Sequence, residues 1–339
     1  MEKEANTGIS RWALRAAGMN KFRELGLVFF IVVISAAVQV RNHEFLTLVN
    51  VGNLLTNTAI LGILSVGMMM VLLTGGIDLS IGAIIAFSGM ASALTVSAYP
   101  QVPPVILVLE GALIGAAVGF VVGFLISRFS ILPIIASLGM MNVIRGMTYL
   151  ISNGAWVSAH QMSDGFKALA TGKIFGVNNL IVIAVIVYIV FYYFINYTRT
   201  GRRIYAVGSN PEAAEVTGIP AKPIVNMVYV LMGFLAGLAG VLWVAKFASA
   251  QGDTAVGYEM NVIASCVLGG ISVSGGRGKV AGLVLGVILF GILANALPLI
   301  NVSPFWQQAI QGFVILAAVI TNVMIKRNND QANLRHRRI

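Results

Sequence analysis

The sequence predicts an all-α polytopic membrane protein with about ten transmembrane helices, some of them broken at glycine-rich turns. The first observation is composition: 58% of the 339 residues are hydrophobic and only 10% are charged, whereas a soluble domain carries roughly a quarter charged residues. The second is a series of apolar stretches of membrane-crossing length, separated by short polar breaks. Backbone groups in a bilayer must bond one another, which allows only helices or a closed barrel. Stretches such as 181–194 do not alternate apolar and polar residues, and this excludes the barrel.

Ten apolar segments are predicted to cross the membrane. They are Leu25–Val40, Leu54–Leu73, Gly82–Val96, Val102–Ile126, Ile131–Ile151, Leu180–Tyr197, Ile224–Ala245, Asn261–Val273, Val280–Leu297 and Phe305–Ile325. Together they form one predicted transmembrane domain, 25–325, between a cytoplasmic N-terminal tail, 1–24, and a basic cytoplasmic C-terminal tail, 326–339. Because the tail 1–24 contains no signal-peptide cleavage site, the first segment is expected to remain as a span.

The distribution of Lys and Arg predicts the orientation of these spans. If the N-terminus is cytoplasmic, the inside segments hold 17 of the 22 basic residues and the outside segments hold four. Lys and Arg near span ends favour the cytoplasm, so both chain ends are predicted to lie on the cytoplasmic side of the bacterial plasma membrane. The net charge of +10 is therefore a topology signal and gives no support to a nucleic-acid partner. The single cysteine, Cys266, excludes an internal disulfide.

Glycine recurs every four residues along the fourth predicted span. The positions are Gly111, Gly115, Gly119 and Gly123, and the seventh span repeats the spacing at Gly233 and Gly237. This spacing places the glycines on one helical face, where the missing side chains let another backbone approach closely. The face is expected to serve packing inside the bundle, with a subunit interface as the alternative.

Two glycine-rich turns, Gly75–Gly82 and Gly269–Gly276, share the pattern G-G-I-x-x-S-x-G and both follow a span that runs inward. Paired glycine-interrupted segments indicate broken helices at the solute site of a transporter. The residues assigned to a translocation pathway on this ground are Gly75, Gly76, Asp78, Ser80, Gly269, Gly270 and Ser274. The hydroxyls of Ser80 and Ser274 are expected to face the cavity. The alternatives are a chance match between two ordinary turns, or hydroxyls bonded to the backbone one turn back.

Ionisable residues at membrane depth are costly, and each is therefore a candidate for function. Arg145 lies about 21 Å from the inner end of its span, and Glu110 lies about 12 Å from the outer end of the preceding span. Their similar depth predicts either an ion pair or an Arg145 that faces the pathway and binds a polar solute. Asp78, where the third span begins, either caps that helix or contacts the solute. All three histidines fall in loops or tails, which argues against a proton-coupled carrier.

The inside loop 198–223 contains the signals of a short capped helix. Asn210 suits the N-cap, Pro211 the first helical position and Glu212 the first turn, while Gly218 supplies the stop. A short helix that projects from a bundle is suited to docking into the groove of a partner. An ordered connector is the alternative.

Three strings in order, TGGIDLSIG (Thr74–Gly82), TGRRIYAVGSNPEAAEVTGI (Thr200–Ile219) and VLGGISVSGGRGKVAG (Val267–Gly282), resemble the ribose-type permeases of bacterial ABC importers. The resemblance runs from about residue 45 to 325. It implies a subunit that forms the path for a monosaccharide with a second, homologous or identical permease. It also implies a cytoplasmic ATPase and an extracytoplasmic sugar-binding protein. The loop helix would then be the coupling helix inserted in the ATPase, formed by Asn210, Pro211, Glu212, Ala213, Ala214, Glu215 and Gly218.

The solutes of that family include ribose, other pentoses, hexoses, rhamnose and the autoinducer-2 sugar. The chain departs from the family pattern at Asn261, where Asp is usual, and at Ala296, where an Asn-Gly pair is common. The specific sugar therefore stays open. Two rival functions also remain: a branched-chain amino-acid permease with the same machinery, and a self-sufficient ion-coupled carrier.

An ATP site is not expected in this chain. Gly278 and Lys279 echo the end of a Walker loop, but Val273 stands where the leading glycine belongs and Val280 stands where Ser or Thr belongs. ATP and Mg²⁺ are therefore expected on the separate ATPase, and the chain by itself is not expected to be an enzyme.

Overall fold

The computed structural model describes residues 24–303 together with 305–310, 312–313, 316 and 320. The helices are α1 (Glu24–Arg41), α2 (Leu48–Leu73), α3 (Ile81–Ala98), α4 (Pro104–Phe129), α5 (Pro133–Ser152), α6 (Asp164–Thr171), α7 (Asn179–Tyr197), α8 (Arg199–Ser209), α9 (Pro211–Val216), α10 (Ala221–Phe247), α11 (Tyr258–Leu268) and α12 (Val280–Leu299). The short strands are β1 (Val157–Ser158), β2 (Lys173–Ile174), β3 (Val177–Asn178) and β4 (Ser249–Ala250).

Eight of the described helices, α1 to α5, α7, α10 and α12, are long and apolar enough to cross a membrane. This confirms an all-α polytopic membrane protein. The extent predicted for the eighth span, Asn261–Val273, is wrong. Its helix, α11, begins three residues earlier at Tyr258 and ends at Leu268, because Gly270 takes a backbone φ of +89° that an α-helix does not allow.

Two predictions fall wholly or partly outside the described residues. The tenth predicted span, Phe305–Ile325, is described in part, and its residues 305–310 are helical. The tails predicted at 1–24 and 326–339 lie outside the described residues, apart from Glu24 at the start of α1.

The centre of the bundle is formed by α2, α3 and α10. The apolar window that defines each span is 78% buried in α2 and 67% buried in α3 and α10, against 22% in α5 and α7. The outer helices therefore expose apolar side chains, as expected where lipid is the solvent. In α2 the consecutive residues Met68, Met69 and Met70 are fully buried, and their flexible side chains suit the irregular gaps between central helices.

The glycine stripe of α4 packs directly against α10. A Cβ built at Gly115 would lie 2.7 Å from the Cα of Gly237, and one built at Gly119 would lie 3.1 Å from the Cα of Gly233. Real Cβ atoms do not approach backbone so closely, so these positions accept only glycine without a shift of one helix. The prediction that the stripe serves packing inside the bundle is confirmed.

The two longest segments that are predicted to lie on the extracytoplasmic side of the membrane join through a small sheet. Strand β1 pairs antiparallel with β4, with Val157 opposite Ala250. Strands β2 and β3 form a hairpin that leads into α7. The pairing of β1 with β4 fixes the start of the segment 251–257, which connects α10 to α11.

Candidate functional site

The two glycine-rich turns end their helices in the same way. After α2, the N–H of Gly75 donates to the carbonyl of Leu72 at 2.9 Å and the N–H of Gly76 donates to Val71 at 3.0 Å. After α11, Gly270 donates to Val267 and Ile271 donates to Cys266, each at 3.0 Å. Both are Schellman motifs closed by a glycine with positive φ, +77° at Gly75 and +89° at Gly270. The motif closes one residue later in the second copy of the G-G-I pattern.

The first turn contacts two apolar helices, α10 and α5, away from their ends. The carbonyl of Ile77 accepts hydrogen bonds from the hydroxyl of Tyr229 at 3.2 Å and from that of Ser137 at 3.4 Å. Tyr229 lies about 12 Å along α10 from its inner end, and Ser137 lies about 6 Å along α5. Gly76 is required beside this contact, because a Cβ there would lie 2.5 Å from the hydroxyl oxygen of Tyr229. The chain between α2 and α3 is therefore broken inside the inner half of the bundle.

Asp78 and Ser80 form a local pair at the start of α3. One carboxylate oxygen of Asp78 accepts from the backbone N–H of Ser80 at 2.8 Å and from its hydroxyl at 2.6 Å. Both side chains are fully buried. The prediction that the Ser80 hydroxyl faces a cavity is wrong, because that hydroxyl is turned to Asp78. Asp78 bonds the N-cap residue Ser80, and its other carboxylate oxygen is buried without a hydrogen-bond partner among the described residues. Its contact with a solute stays a prediction.

The second turn is more exposed than the first. Ser274 is exposed, and its N–H donates to the hydroxyl of Ser272 at 3.3 Å. Gly269 packs on α12, because a Cβ there would lie 2.8 Å from the Cα of Leu283. The geometry thus places Gly75, Gly76, Gly269 and Gly270 at close backbone contacts and helix ends. Their role in a translocation pathway, with that of Ser274, stays a prediction.

The predicted ion pair between Arg145 and Glu110 is wrong. One guanidinium nitrogen of Arg145 donates to the carbonyls of Gly252 and Thr254, at 2.9 and 2.7 Å. Glu110 instead accepts from the hydroxyl of Thr95 on α3 at 2.8 Å. Similar depth on neighbouring helices was not sufficient, because the segment 251–257 offers Arg145 backbone acceptors that are closer. Arg145 therefore holds this irregular segment, and its contact with a solute stays a prediction.

The capped helix of the inside loop has the predicted form. The side chain of Asn210 accepts from the N–H of Ala213 at 3.0 Å, and Pro211 is the first residue of α9. At the other end Gly218 has a φ of +82°, and the N–H of Ile219 donates to the carbonyl of Ala214 at 2.9 Å. The sequence reasoning missed α8, whose apolar residues Ile204 and Val207 recur at helical spacing and could have revealed it.

A cavity of about 190 Å³ lies where α2, α11 and α12 meet. It is lined by Asn57, Thr58, Leu61, Tyr258, Asn261, Phe290, Gly291, Ala294 and Asn295. Three of these side chains are amides and two are aromatic rings. Amides offer both donors and acceptors, and an aromatic ring offers an apolar face. The cavity can therefore bond hydroxyl groups of a small solute while it packs against the apolar face of that solute.

Neighbouring side chains hold the cavity lining in place. Asn295 and Asn50 exchange two amide hydrogen bonds, at 2.9 and 3.2 Å. Lys246 donates to the side-chain oxygen of Asn57 at 2.8 Å, and the ring of Tyr258 packs edge-on against Trp243 with 4.8 Å between centroids. These contacts fix two of the three amides, Asn57 and Asn295, and the ring of Tyr258 before a solute arrives.

The sequence reasoning did not assemble this cavity. It singled out Asn261 only as a departure from a family pattern. The other departure, Ala296, is the sequence neighbour of the lining residue Asn295. The three asparagines lie singly on three different helices, and no regular spacing in the sequence relates them. Only the packing of α2, α11 and α12 brings them together. The recurrence of amides in apolar spans was the available signal, since polar residues inside a membrane tend to be functional.

Comparison with known proteins identifies the family. A family model described as the permease component of branched-chain amino acid transport systems matches residues 50–319. The ribose import permease protein RbsC of Bacillus subtilis (strain 168) is 39% identical over 297 residues, which are 87% of this chain and 90% of that protein. The L-arabinose ABC transporter permease protein AraH of Azospirillum brasilense is 36% identical over 307 residues, 91% of this chain and 89% of that protein.

The ribose import permease of Escherichia coli (strain K12) is 37% identical over 294 residues, 86% of this chain and 91% of that protein. No solved structure matches the chain. The matched region takes in both glycine-rich turns, α8, α9 and the cavity. The chain is a multi-pass protein of the bacterial inner membrane and belongs to the family of importer permease components that includes the ribose and arabinose permeases.

Proposed function

We propose that this chain is the permease subunit of an ATP-driven importer of a monosaccharide, and that the solute is an aldopentose such as ribose or arabinose. The observation that carries the proposal is the cavity between α2, α11 and α12, lined by the amides of Asn57, Asn261 and Asn295 and the rings of Tyr258 and Phe290. A pentose presents several hydroxyl groups and no charge, and these groups match amide donors and acceptors. The names of the relatives, which are ribose and arabinose permeases, support the same solute class.

The small volume of the cavity favours a small solute. Sites for drug-sized ligands measure about 300–1,000 Å³, whereas this cavity measures about 190 Å³. One monosaccharide is a better match to that volume than a disaccharide. Transport also requires that the solute leave again, so a lining of moderate neutral hydrogen bonds suits a permease better than ion pairs.

An amino-acid substrate, as the name of the family model suggests, fits the cavity less well. A free amino acid carries an ammonium group and a carboxylate, and desolvating the ammonium calls for an acidic partner. None of the nine described lining residues is Asp or Glu. The monosaccharide is therefore the preferred solute.

The proposed machine contains three further kinds of subunit. A second permease completes the pathway, a cytoplasmic ATPase carries ATP and Mg²⁺, and an extracytoplasmic binding protein delivers the sugar. Helix α9 is the proposed contact with the ATPase. Its Val216 is 90% exposed, and Glu212 and Glu215 are also exposed, so the helix presents one apolar side chain and two carboxylates.

The solute class is tested by uptake into proteoliposomes that contain the permease, its ATPase and its binding protein. Ribose and arabinose are expected to enter in an ATP-dependent manner, and leucine is not. Asn261→Leu removes one lining amide and is expected to lower sugar uptake roughly tenfold, since a site that lacks one partner for a hydroxyl loses about 1–3 kcal/mol.

Asn196→Leu is the matched control, because Asn196 is exposed at the end of α7 and bonds only to the carbonyl of Tyr192 within its own helix in the described structure. That variant is expected to import sugar normally. Import of leucine and not of sugars would refute the proposed solute class. Equal losses in Asn261→Leu and Asn196→Leu would show that the cavity is not on the pathway.

The contact with the ATPase is tested by reversing charge on α9. The double change Glu212→Lys and Glu215→Lys is expected to reduce both sugar uptake and co-purification of the ATPase several-fold, because a docking surface loses electrostatic complementarity. Insertion of the permease in the membrane is expected to be unchanged. Normal co-purification and normal import would show that α9 is only a connector.

A further inference from the structure

Helix α8 is firmly fixed to the transmembrane bundle, although it lies outside the predicted membrane. Its residues Ile204 and Val207 are buried, and a Cβ at Gly201 would overlap the backbone at the end of α7. Helix α9 follows without a linker, because Asn210 is both the C-cap of α8 and the N-cap of α9. A displacement of α9 therefore acts directly on the C-terminal end of α8.

The C-terminal end of α8 touches both glycine-rich turns. A Cβ at Gly208 would overlap the carbonyl of Leu73, the last residue of α2, and would lie 2.9 Å from the N–H nitrogen of Gly276. The N–H of Gly276 donates to that same carbonyl of Leu73 at 2.9 Å. A Cβ at Gly275 would lie 2.5 Å from the carbonyl oxygen of Gly208 and 3.1 Å from the nitrogen of Gly75. Three backbone segments thus meet with no side chain between them.

We name this contact the glycine junction; it consists of Leu73, Gly75, Gly208, Gly275 and Gly276. Backbone contacts of this kind are less compliant than contacts between flexible side chains, because close-packed interfaces resist compression. Each turn is also bound to its own helix end, α2 for the first and α11 for the second. A shift of α8 must consequently move both turns together or break the junction.

A tyrosine on α8 adds a second link. The hydroxyl of Tyr205 donates to the carbonyl of Gly278 at 2.9 Å, and Gly278 lies two residues after the second turn. Burial raises the pKa of this hydroxyl further above its usual value, so it remains a donor at physiological pH. The bond spans a sequence separation of 73 residues, so it ties the cytoplasmic loop to the start of α12.

We propose that the glycine junction transmits movement of α9 to both glycine-rich turns, and that Tyr205 is the positioning residue that keeps α8 in register with the second turn. This inference rests on the proposed function, in which α9 receives its displacement from an ATPase. The two turns interrupt α2–α3 and α11–α12, so their joint movement displaces the inner ends of α2, α11 and α12, the three helices that line the cavity.

The test is Tyr205→Phe, which removes the hydroxyl and keeps the ring. The permease is reconstituted with its ATPase and binding protein, and uptake of radiolabelled ribose or arabinose is measured in parallel with ATP hydrolysis. Uptake per ATP hydrolysed is expected to fall about fivefold, the effect of one hydrogen bond of about 1 kcal/mol on a conformational equilibrium. Co-purification of the ATPase is expected to be unchanged. Tyr193→Phe is the control, because Tyr193 is exposed near the end of α7 and Phe keeps its stacking on Tyr197.

A second variant, Gly208→Ala, inserts a methyl group into the glycine junction and is expected to uncouple uptake from hydrolysis more strongly than Tyr205→Phe. Unchanged uptake per ATP in Tyr205→Phe overturns the inference while the permease function stands. A proportional fall of uptake and hydrolysis overturns it as well, because that result indicates a merely structural role. If the unmodified complex imports no sugar, the proposed function itself fails, and its failure is thereby distinguished from that of the junction.

Discussion

Replacing Arg145 by Gln is expected to free the segment 251–257 from the bundle. This segment connects α10 to α11 without regular structure, and its carbonyls at Gly252 and Thr254 are both bonded to the guanidinium of Arg145. Gly252 is buried and packs against the ring of Tyr149, so its carbonyl gains little from water when the guanidinium is removed. The side chain of Gln is shorter and neutral, and it cannot reach both carbonyls.

The magnitude follows from the two bonds. A hydrogen bond from a charged donor contributes about 1.5–3 kcal/mol, so two such bonds contribute about 3–6 kcal/mol. Arg145 is only partly buried, and water replaces part of the loss, which favours the lower end of the range. A loss of about 3 kcal/mol raises the population in which the segment is open roughly 100-fold.

Hydrogen–deuterium exchange of the peptide that contains 251–257 measures this opening. The amides of Thr254 and Val256 are bonded to the carbonyls of Gln251 and Asp253, each at 3.2 Å, and they exchange when the turn opens. Exchange in Arg145→Gln is expected to be much faster than in the unmodified protein, while Arg145→Lys, with one ammonium for two carbonyls, falls between.

Arg128→Gln is the matched control for this experiment, because Arg128 is exposed in the last turn of α4. Glu110→Gln combined with Arg145→Gln is expected to give additive losses of stability, because the two side chains have separate partners. Unchanged exchange in Arg145→Gln, or strong coupling to Glu110, would refute the assignment of Arg145 to the segment.

Two further predictions concern the glycines and the serines. Gly115→Ala is expected to destabilise the protein by about 1–3 kcal/mol in thermal unfolding, because the added Cβ overlaps α10. Gly139 has open space around it, so Gly139→Ala is expected to be neutral or to stabilise the protein by up to about 1 kcal/mol. Equal effects of the two changes would contradict the packing of α4 on α10. In a Cys266→Ala background, a membrane-impermeant thiol reagent is expected to modify Ser274→Cys and to leave Ser80→Cys unmodified. The reason is that Ser274 is exposed and Ser80 is fully buried. Labelling at position 80 would show a state in which the first turn opens.

The fold could be predicted in large part because the membrane constrains the local composition of each helix. Span length, the distribution of Lys and Arg and the four-residue glycine spacing each act within one helix, so they are visible without knowledge of the partners. The same holds for α9, whose cap, first turn and stop all fall within nine residues of sequence, Asn210–Gly218. The error at α11 arose because hydropathy continues through Ile271 and Val273, although the backbone has already turned at Gly270.

The contacts of the candidate site were less predictable, because they join residues that are far apart in sequence. The sequence located Arg145 only by its distance along the span, but that distance does not specify direction around a helix axis, and the carbonyls of a later, irregular segment were not visible as partners. Ser80 carried a pattern shared with Ser274, yet Asp78 two residues away takes up its hydroxyl. A shared sequence pattern therefore predicted a shared helix ending and did not predict shared side-chain environments.

Glycine permits close backbone contact at two places in this protein, and the arrangement of these places bears on which helices can move when α8 is displaced. Between α4 and α10 it permits backbone contact along several turns, which makes these two helices one stiff body. At the glycine junction it permits contact between the end of α8 and the two glycine-rich turns, which are not themselves helical. The body formed by α4 and α10 is bonded to the first turn by the hydroxyl of Tyr229 on α10, which donates to the carbonyl of Ile77. Helix α3 belongs to the same body, because its Gly89 packs directly on the backbone of α10 at Gly240. A displacement of α8 is therefore expected to move the inner ends of α2, α11 and α12 relative to α3, α4 and α10.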